Sequence, residues 1–139
     1  MVAAFLYLHC SDLGEARRCY TDVVGLSEIF VSVEDGVVGY RVGDLQITIE
    51  ERPDDEPAAS GWAKQLGWDG GTTTAPSWGI ELDAASFVRA VDAATSAGTP
   101  CHRAEPQWVG YWSFPVRDPM GNTVELSTTD RNAWPADTE

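Results

Sequence analysis

Basic residues are scarce in this chain. Its 139 residues include 9 Lys and Arg against 22 Asp and Glu, which gives a formal net charge of -13 at pH 7. A protein that binds nucleic acid needs a cationic surface to replace the counterions of the phosphates, so we expect no nucleic-acid partner. The same imbalance favours a ligand that is cationic or neutral.

Long apolar runs and cysteine pairs are also missing. No segment approaches the roughly 20 apolar residues that a membrane-spanning helix needs, so we expect no membrane partner. The first residues carry no basic stretch ahead of an apolar core, which argues against a signal peptide. The three cysteines, Cys10, Cys19 and Cys101, form no C-x-x-C pair. These features predict reduced thiols and a cytoplasmic protein.

Aromatic residues, in contrast, are abundant. The chain has six Trp, four Tyr and four Phe, and 43% of its residues are hydrophobic. This composition is sufficient for a buried core in a chain of this length. An acidic chain rich in Trp can also build a pocket that stacks flat rings and attracts positive charge.

The first half of the chain has the pattern of a β-α-β-β-β module. Alternation over residues 2–10 predicts a strand with Phe5, Tyr7 and His9 on one face. Asp12, with Glu15 three residues later, predicts a capping box, and helical spacing over 13–24 predicts the helix that follows it. Turn residues then separate three predicted strands, near 27–33, 37–42 and 44–50.

The same order begins again after a long connection. A strand is predicted near 78–82, and a helix follows from Asp83, its expected N-cap, to Gly98. Strands are then predicted near 100–104, 107–116 and 123–127. In the connection, Trp62 and Trp68 are expected either to cap a pocket or to anchor the loop.

Repetition of the element order predicts the architecture. We expect an α+β fold in which two βαβββ modules with curved mixed sheets enclose a cavity. The predicted boundaries are 1–50 for the first module, 51–76 for the connecting loop, 77–129 for the second module and 130–139 for the tail.

A tight turn near the end of the chain carries the most specific motif. In Asp118-Pro119-Met120-Gly121-Asn122, Pro presets φ for the first turn position and Gly accepts positive φ. In the strand that follows, Val124 and Leu126 point to one face and Glu125 to the other. Apolar neighbours favour a central strand with Glu125 facing a cavity, while an edge strand with Glu125 in solvent is the alternative.

This stretch, together with the duplicated layout, resembles the vicinal oxygen chelate superfamily, which includes glyoxalase I, extradiol dioxygenases and the bleomycin-resistance proteins. The family's D-P-x-G-N-x-x-E-L signature runs here from Asp118 to Leu126. The glycine and phenylalanine that precede it in the family are present as Gly110 and Phe114. The first half is similar to the family's first module at Ser11-Asp12-Leu13, Tyr20 and Gly25-Leu26.

The resemblance implies a metal site only in part. Metal-dependent members use His and Glu ligands on the first and last strands of the modules, which leaves coordination positions open for a chelating substrate. Glu125 stands at the final-strand position. The other positions fall on residues that are not usual ligands: Phe5, Gln46 or Thr48, and Ser77 or Trp78. We therefore expect no cofactor, with a divalent metal as the alternative and His9 and Glu125 as its reserve ligands.

Keeping the fold without a metal is a property of the bleomycin-resistance branch, whose members are small, acidic, dimeric binders of a cationic, ring-bearing antibiotic. The resemblance implies a homodimer that sequesters an aromatic, cationic small molecule without altering it. Trp108 and Trp112 would stack on the ligand, unless they fill the core or an interface, and Glu125 and Glu50 would supply charge. The predicted ligand-binding residues are Phe5, Tyr7, His9, Gln46, Thr48, Glu50, Trp108, Tyr111, Trp112 and Glu125.

Two alternatives stay open at this point. The chain could be a metal-dependent lyase, isomerase or dioxygenase that uses Glu125 and His9. It could also be an accessory domain with a vestigial cavity. A measurement of bound metal separates the enzyme from the binding protein.

Overall fold

Two four-stranded sheets, one in each half of the chain, form the framework of the protein. The structure is a computed structural model that describes residues 4–52, 62–63 and 77–135. The first half contains β1 (Ala4–Cys10), α1 (Leu13–Arg17) with a π-helical continuation (Arg18–Val23), β2 (Glu28–Ser32), β3 (Val37–Val42) and β4 (Leu45–Glu51). The second half contains β5 (Ser77–Glu81), α2 (Ala84–Ala97), β6 (Gln107–Trp108), β7 (Trp112–Arg117), β8 (Thr123–Thr128) and a final 3-10 turn (Arg131–Ala133).

The two sheets have the same topology, which confirms the predicted α+β duplication. Their strand orders are β1-β4-β3-β2 and β5-β8-β7-β6. In each sheet the first strand pairs in parallel with the last, and the other pairs are antiparallel. Each helix is the connection that returns the chain across one face of its sheet.

Both helices begin at an aspartate, as the sequence predicts. The side chain of Asp12 accepts a hydrogen bond from the Glu15 amide at 3.1 Å, and Asp83 accepts one from the Ser86 amide at 2.8 Å. These caps satisfy backbone donors that have no partner inside the helix. Helix α2 ends at Gly98, whose φ of 71° lies in the left-handed region.

Alternation along the strands places one face of each sheet in the core. Fully buried side chains lie on this face of the central strands, for example Tyr40 and Ile47 in the first sheet and Phe114 and Leu126 in the second. The opposite face of each sheet, named its concave face below after the predicted architecture, carries the polar and exposed residues. Among the described residues, no strand pairing joins the two sheets, so the expected cavity is not closed within one chain.

A buried hydrogen bond joins the two halves. The Tyr20 hydroxyl, on the π-helical stretch, donates to the Asp118 carboxylate at 2.6 Å. The same carboxylate accepts from the amides of Met120 and Asn122 and from the Asn122 side chain. The aspartate of the D-P-x-G-N motif therefore shapes its own turn and also fastens that turn to the first module.

The strands between α2 and the motif differ from the prediction. Residues 107–116 form two short strands instead of one, because Gly110 adopts φ 100° and turns the chain between Trp108 and Trp112. Residues 100–104 do not form a regular strand and contribute one bridge, from Cys101 to Val116.

Helix α2, at 14 residues, is the longest helix in the described part of the chain. None of the helices in that part is long and apolar enough to cross a membrane.

Candidate functional site

The concave face of the first sheet collects all six residues that were predicted there from the first half. Phe5, Tyr7 and His9 of β1 lie opposite Gln46, Thr48 and Glu50 of β4, in register. Phe5 is 69% exposed and Tyr7 is 53% exposed. Two neighbouring aromatic side chains with this much exposed area show that nothing in the described chain covers this face, which leaves it available for contact with a ligand or a partner.

Tyr7 and Glu50 hold each other in place on this face. The Tyr7 hydroxyl donates to the Glu50 carboxylate at 2.5 Å, and the Arg52 guanidinium lies 3.5 Å from the same oxygen. The hydrogen bond from Tyr7, with the charge of Arg52, lowers the pKa of Glu50. The bond to Glu50 also raises the pKa of Tyr7. Glu50 is therefore an anion at neutral pH, and Tyr7 is a fixed, neutral ring whose neighbour His9 meets it edge-on at 5.1 Å.

Phe30 belongs to the same face and was not predicted. It pairs with Gly39 in β3, and its ring lies directly on this glycine, since a Cβ there would come within 2.1 Å of the ring. Phe30 is 42% exposed. An irregularity in the pairing of β2 sets this orientation, and such bulges are hard to read from alternation. Glycine inside the predicted strand 37–42 was the available signal of a close approach.

The concave face of the second sheet is centred on Glu125. Its carboxylate accepts hydrogen bonds from the Tyr111 hydroxyl, at 3.1 and 3.0 Å, and from the Ser113 hydroxyl, at 2.5 Å. Gly79 faces it from β5, where a Cβ would lie 3.5 Å from a Glu125 oxygen. Glu125 is partly buried, and no Lys or Arg nitrogen of the described residues lies within 4 Å of it. Sequence reasoning predicted Tyr111 and Glu125 but missed Ser113.

Trp108 and Trp112 do not lie beside Glu125. Ser113 points toward Glu125, so its neighbour Trp112 points to the other side of β7, toward the core. Trp108 is the cross-strand partner of Trp112, with ring centroids 5.5 Å apart and ring planes inclined at 71°. Trp108 and Trp112 therefore share one face through pairing across a turn, and this face is the core side of the second sheet instead of the side that carries Glu125.

Part of the connection covers one end of the second concave face. The Ala63 amide donates to the Thr123 hydroxyl at 2.9 Å, and the Arg117 guanidinium lies 4.4 Å from the centre of the Trp62 ring. The edge of His102 also meets Trp62. Trp62 thus lies against the sheet, while the predicted role of Trp68 falls outside the described residues.

The described side chains do not provide a metal centre within one chain. No three His, Cys, Asp or Glu side chains of the described residues come together. The Glu125 oxygens instead face two hydroxyl donors, and the reserve ligand His9 lies on the other sheet. This donor set does not fit a divalent ion, which needs at least three protein ligands in a usual catalytic site.

The family of the chain follows from its sequence and fold together. The model of the Glyoxalase/Bleomycin resistance protein/Dioxygenase superfamily matches residues 3–126. The chain belongs to this superfamily, as the D-P-x-G-N motif and the repeated βαβββ order indicate. No protein among the curated sequences matches the chain.

Solved structures share the fold at low sequence identity. A glyoxalase/dioxygenase from Nostoc punctiforme has a TM-score of 0.69 and 17% identity, over 89% of this chain and 88% of that one. The fosfomycin resistance protein FosX from Mesorhizobium loti has a TM-score of 0.59 and 16% identity, over 92% and 91%. A bleomycin resistance determinant encoded on the transposon Tn5 has a TM-score of 0.59 and 18% identity, over 94% and 99%. The similar structures thus include both resistance proteins and a protein named for enzymes.

Proposed function

We propose that this protein binds and sequesters an aromatic, cationic small molecule on its concave faces, without a catalytic metal. The observation that carries the proposal is the environment of Glu125. A partly buried carboxylate, oriented by Tyr111 and Ser113 and lacking a described Lys or Arg partner, is complementary to a ligand cation. A cation that reaches it would replace water around a charge that is already positioned, so little ordering would be needed.

The first sheet supplies the aromatic part of the proposed site. Phe5, Tyr7 and Phe30 present ring surface, and Glu50 beside Tyr7 adds a second carboxylate, whose charge Arg52 partly balances. Rings of this kind bind planar ligands by offset or edge contacts and attract cations to their faces. The first concave face would therefore contact the rings of the ligand, and Glu125 on the second would bind its cation.

A homodimer would bring these two faces together. In one chain the first concave face is left open with Phe5, Tyr7 and Phe30 exposed, so a second copy of the chain could cover it with its own second sheet. Each ligand site would then take rings from one copy and Glu125 from the other. Because Cys10, Cys19 and Cys101 are all free thiols, we keep the cytoplasm as the proposed location of this dimer.

Calorimetric titration with metal-free bleomycin tests the proposal. We expect saturable binding to the wild type, and Glu125→Gln should weaken it about tenfold or more, because a hydrogen-bonded charge contact is lost. Glu34→Gln is the matched control, since it removes the same charge from an exposed turn and should change the affinity less than about twofold.

Equal affinities for the wild type and Glu125→Gln would refute the assignment of Glu125. Sedimentation equilibrium tests the dimer separately, and a monomer at micromolar concentration would refute that part.

A metal-dependent enzyme is the second candidate. His9 and Glu125 lie on the two different concave faces, so a dimer that opposes the faces could bring the pair together as ligands. Metal analysis of the purified protein decides between the candidates. Stoichiometric Zn, Ni, Mn or Fe that is lost in Glu125→Gln would favour the enzyme and overturn the metal-free binder.

A further inference from the structure

A second pocket lies on the helix side of the second sheet, away from Glu125. It has a volume of about 350 Å³ and is formed between β6, β7 and the final turn of the chain. This size falls within the range of small-molecule sites. The lining side chains that matter here are Trp108, Trp112, Trp134, Arg131, Gln107 and Glu105.

The walls of this pocket are held rigidly. The Trp112 indole nitrogen donates to the Arg131 carbonyl at 2.9 Å, and Trp112 itself is 4% exposed. Trp134 meets Phe87 of α2 edge-on, with centroids 6.5 Å apart. The final turn therefore contacts both the sheet and the helix, and the pocket is preformed in the absence of a ligand.

Arg131 decides which charge the pocket accepts. Its guanidinium carbon lies 4.3 Å from the centre of the Trp108 ring and 5.5 Å from that of Trp112. This is the position that a ligand cation would take over an aromatic face, so a cation would have to displace Arg131 against its repulsion. None of the described Asp or Glu oxygens lies within 4 Å of the Arg131 nitrogens. Within the described part of the chain, the guanidinium thus has no carboxylate partner, which leaves it suited to an anion.

We propose that this pocket is a second ligand site, specific for a planar aromatic carboxylate. The carboxylate would accept two parallel hydrogen bonds from Arg131, a geometry that the guanidinium fork suits. The ring would then contact Trp134, because Arg131 already covers a face of Trp108, and the amide of Gln107 would be available in the same pocket. Glu105 also lines the pocket, but it is exposed to solvent, which screens its effect on the ligand.

This pocket differs from the proposed cation site at Glu125 in its position and in the charge of the ligand that it would bind. Trp112 and Glu125 point to opposite sides of the second sheet, so the two sites do not share their charged residues. A protein with both sites would take a cation on the concave side and an aromatic acid on the helix side.

The test uses three probes that share a naphthyl ring and carry a substituent of negative, zero or positive charge: 2-naphthoate, 2-naphthamide and 2-naphthylmethylammonium. Binding is measured by calorimetry, and the Trp108 and Trp112 indole N–H signals are followed by NMR. We expect naphthoate to shift these signals and to bind about tenfold or more tighter than the ammonium probe. Arg131→Gln should weaken naphthoate about tenfold or more. Arg103→Gln, an equal loss of charge at an exposed bend, should change its affinity less than about twofold.

Several results would overturn this proposal. One is tighter binding of the ammonium probe, and another is unchanged naphthoate affinity in Arg131→Gln. Binding that leaves the Trp108 and Trp112 signals in place would also refute the pocket. Glu125→Gln separates the two proposals, because it should leave naphthoate binding intact whatever it does to bleomycin.

Discussion

The hydrogen bond between Tyr20 and Asp118 should make a measurable contribution to the stability of the whole chain. Tyr20 is completely buried, Asp118 is 3% exposed, and the bond is 2.6 Å long. A hydrogen bond to a charged group contributes about 1.5–3 kcal/mol. Tyr20→Phe removes the hydroxyl without removing the ring, so we expect the free energy of unfolding to fall by about this amount at pH 7.

The other hydrogen bonds to Asp118 favour the lower part of this range of free energies. Three other donors, from Met120 and Asn122, still hold the carboxylate after the substitution. A loss of about 2 kcal/mol would shift the midpoint of urea unfolding by about 1 M for a domain of this size. Tyr40→Phe is the matched control. Among the described residues its buried hydroxyl has one hydrogen-bond partner, the neutral Thr21 hydroxyl at 2.7 Å, so the loss for Tyr40→Phe should be about 0.5–1.5 kcal/mol.

The pH dependence identifies the mechanism. Burial raises the pKa of Asp118, and the hydrogen bond from Tyr20 opposes this by favouring the anion. Removing the hydroxyl should therefore raise the pKa of Asp118 further, as seen by carboxyl NMR. The difference in stability between wild type and Tyr20→Phe should shrink as the pH falls through that pKa, because the protonated acid no longer needs this donor. A loss below about 0.5 kcal/mol at pH 7, or a loss that is the same when Asp118 is protonated, would refute the reasoning.

Three other predictions concern thiols, alkaline pH and a helix cap. Burial raises the pKa of Cys19 to about 12 and that of Cys10 to about 11. Ellman's reagent at pH 8 should therefore leave both thiols unmodified until urea is added. Rapid labelling of both thiols in native buffer would contradict this. Burial also raises the pKa of Tyr40 to about 12. A group whose pKa is higher in the folded than in the unfolded chain contributes its full stability below the unfolded-state pKa. The free energy of unfolding should therefore fall as the pH rises past about 8.5, by about 1.4 kcal/mol per pH unit for each group that ionises in the unfolded chain. Urea midpoints between pH 8 and 11 test this, and Cys19→Ala should flatten the decline. Asp83→Ala removes the N-cap of α2 and should lower the melting temperature, while Asp92→Ala, an exposed position within the same helix, should not.

Local chemistry made the elements of this fold predictable. The strands over 4–10 and 123–128 follow from alternation, and the helix starts at Asp12 and Asp83 follow from capping, because each signal depends on residues close together in sequence. The repeated element order then implied two similar sheets. The single strand predicted over 107–116 is wrong because Gly110 turns the chain within an apolar run that alternation alone reads as one strand.

The candidate sites were predictable only in part, for a related reason. Alternation placed Phe5, Tyr7 and His9 on one face, but it could not show that Phe30 lies on Gly39 of the neighbouring strand. Likewise, Glu125 was identified from its motif, while its Ser113 donor depends on the pairing of β7 with β8.

By itself, the sequence determined the family, the duplicated α+β architecture and the acidic character, since these rest on local patterns, a contiguous motif and composition. Only the tertiary structure decided which side chains meet. It placed Tyr20 on Asp118, and it placed Trp108 and Trp112 against Arg131 and away from Glu125. The physical reason is that strand register and helix packing bring together residues far apart in the chain, and these contacts determine the charge that each pocket presents.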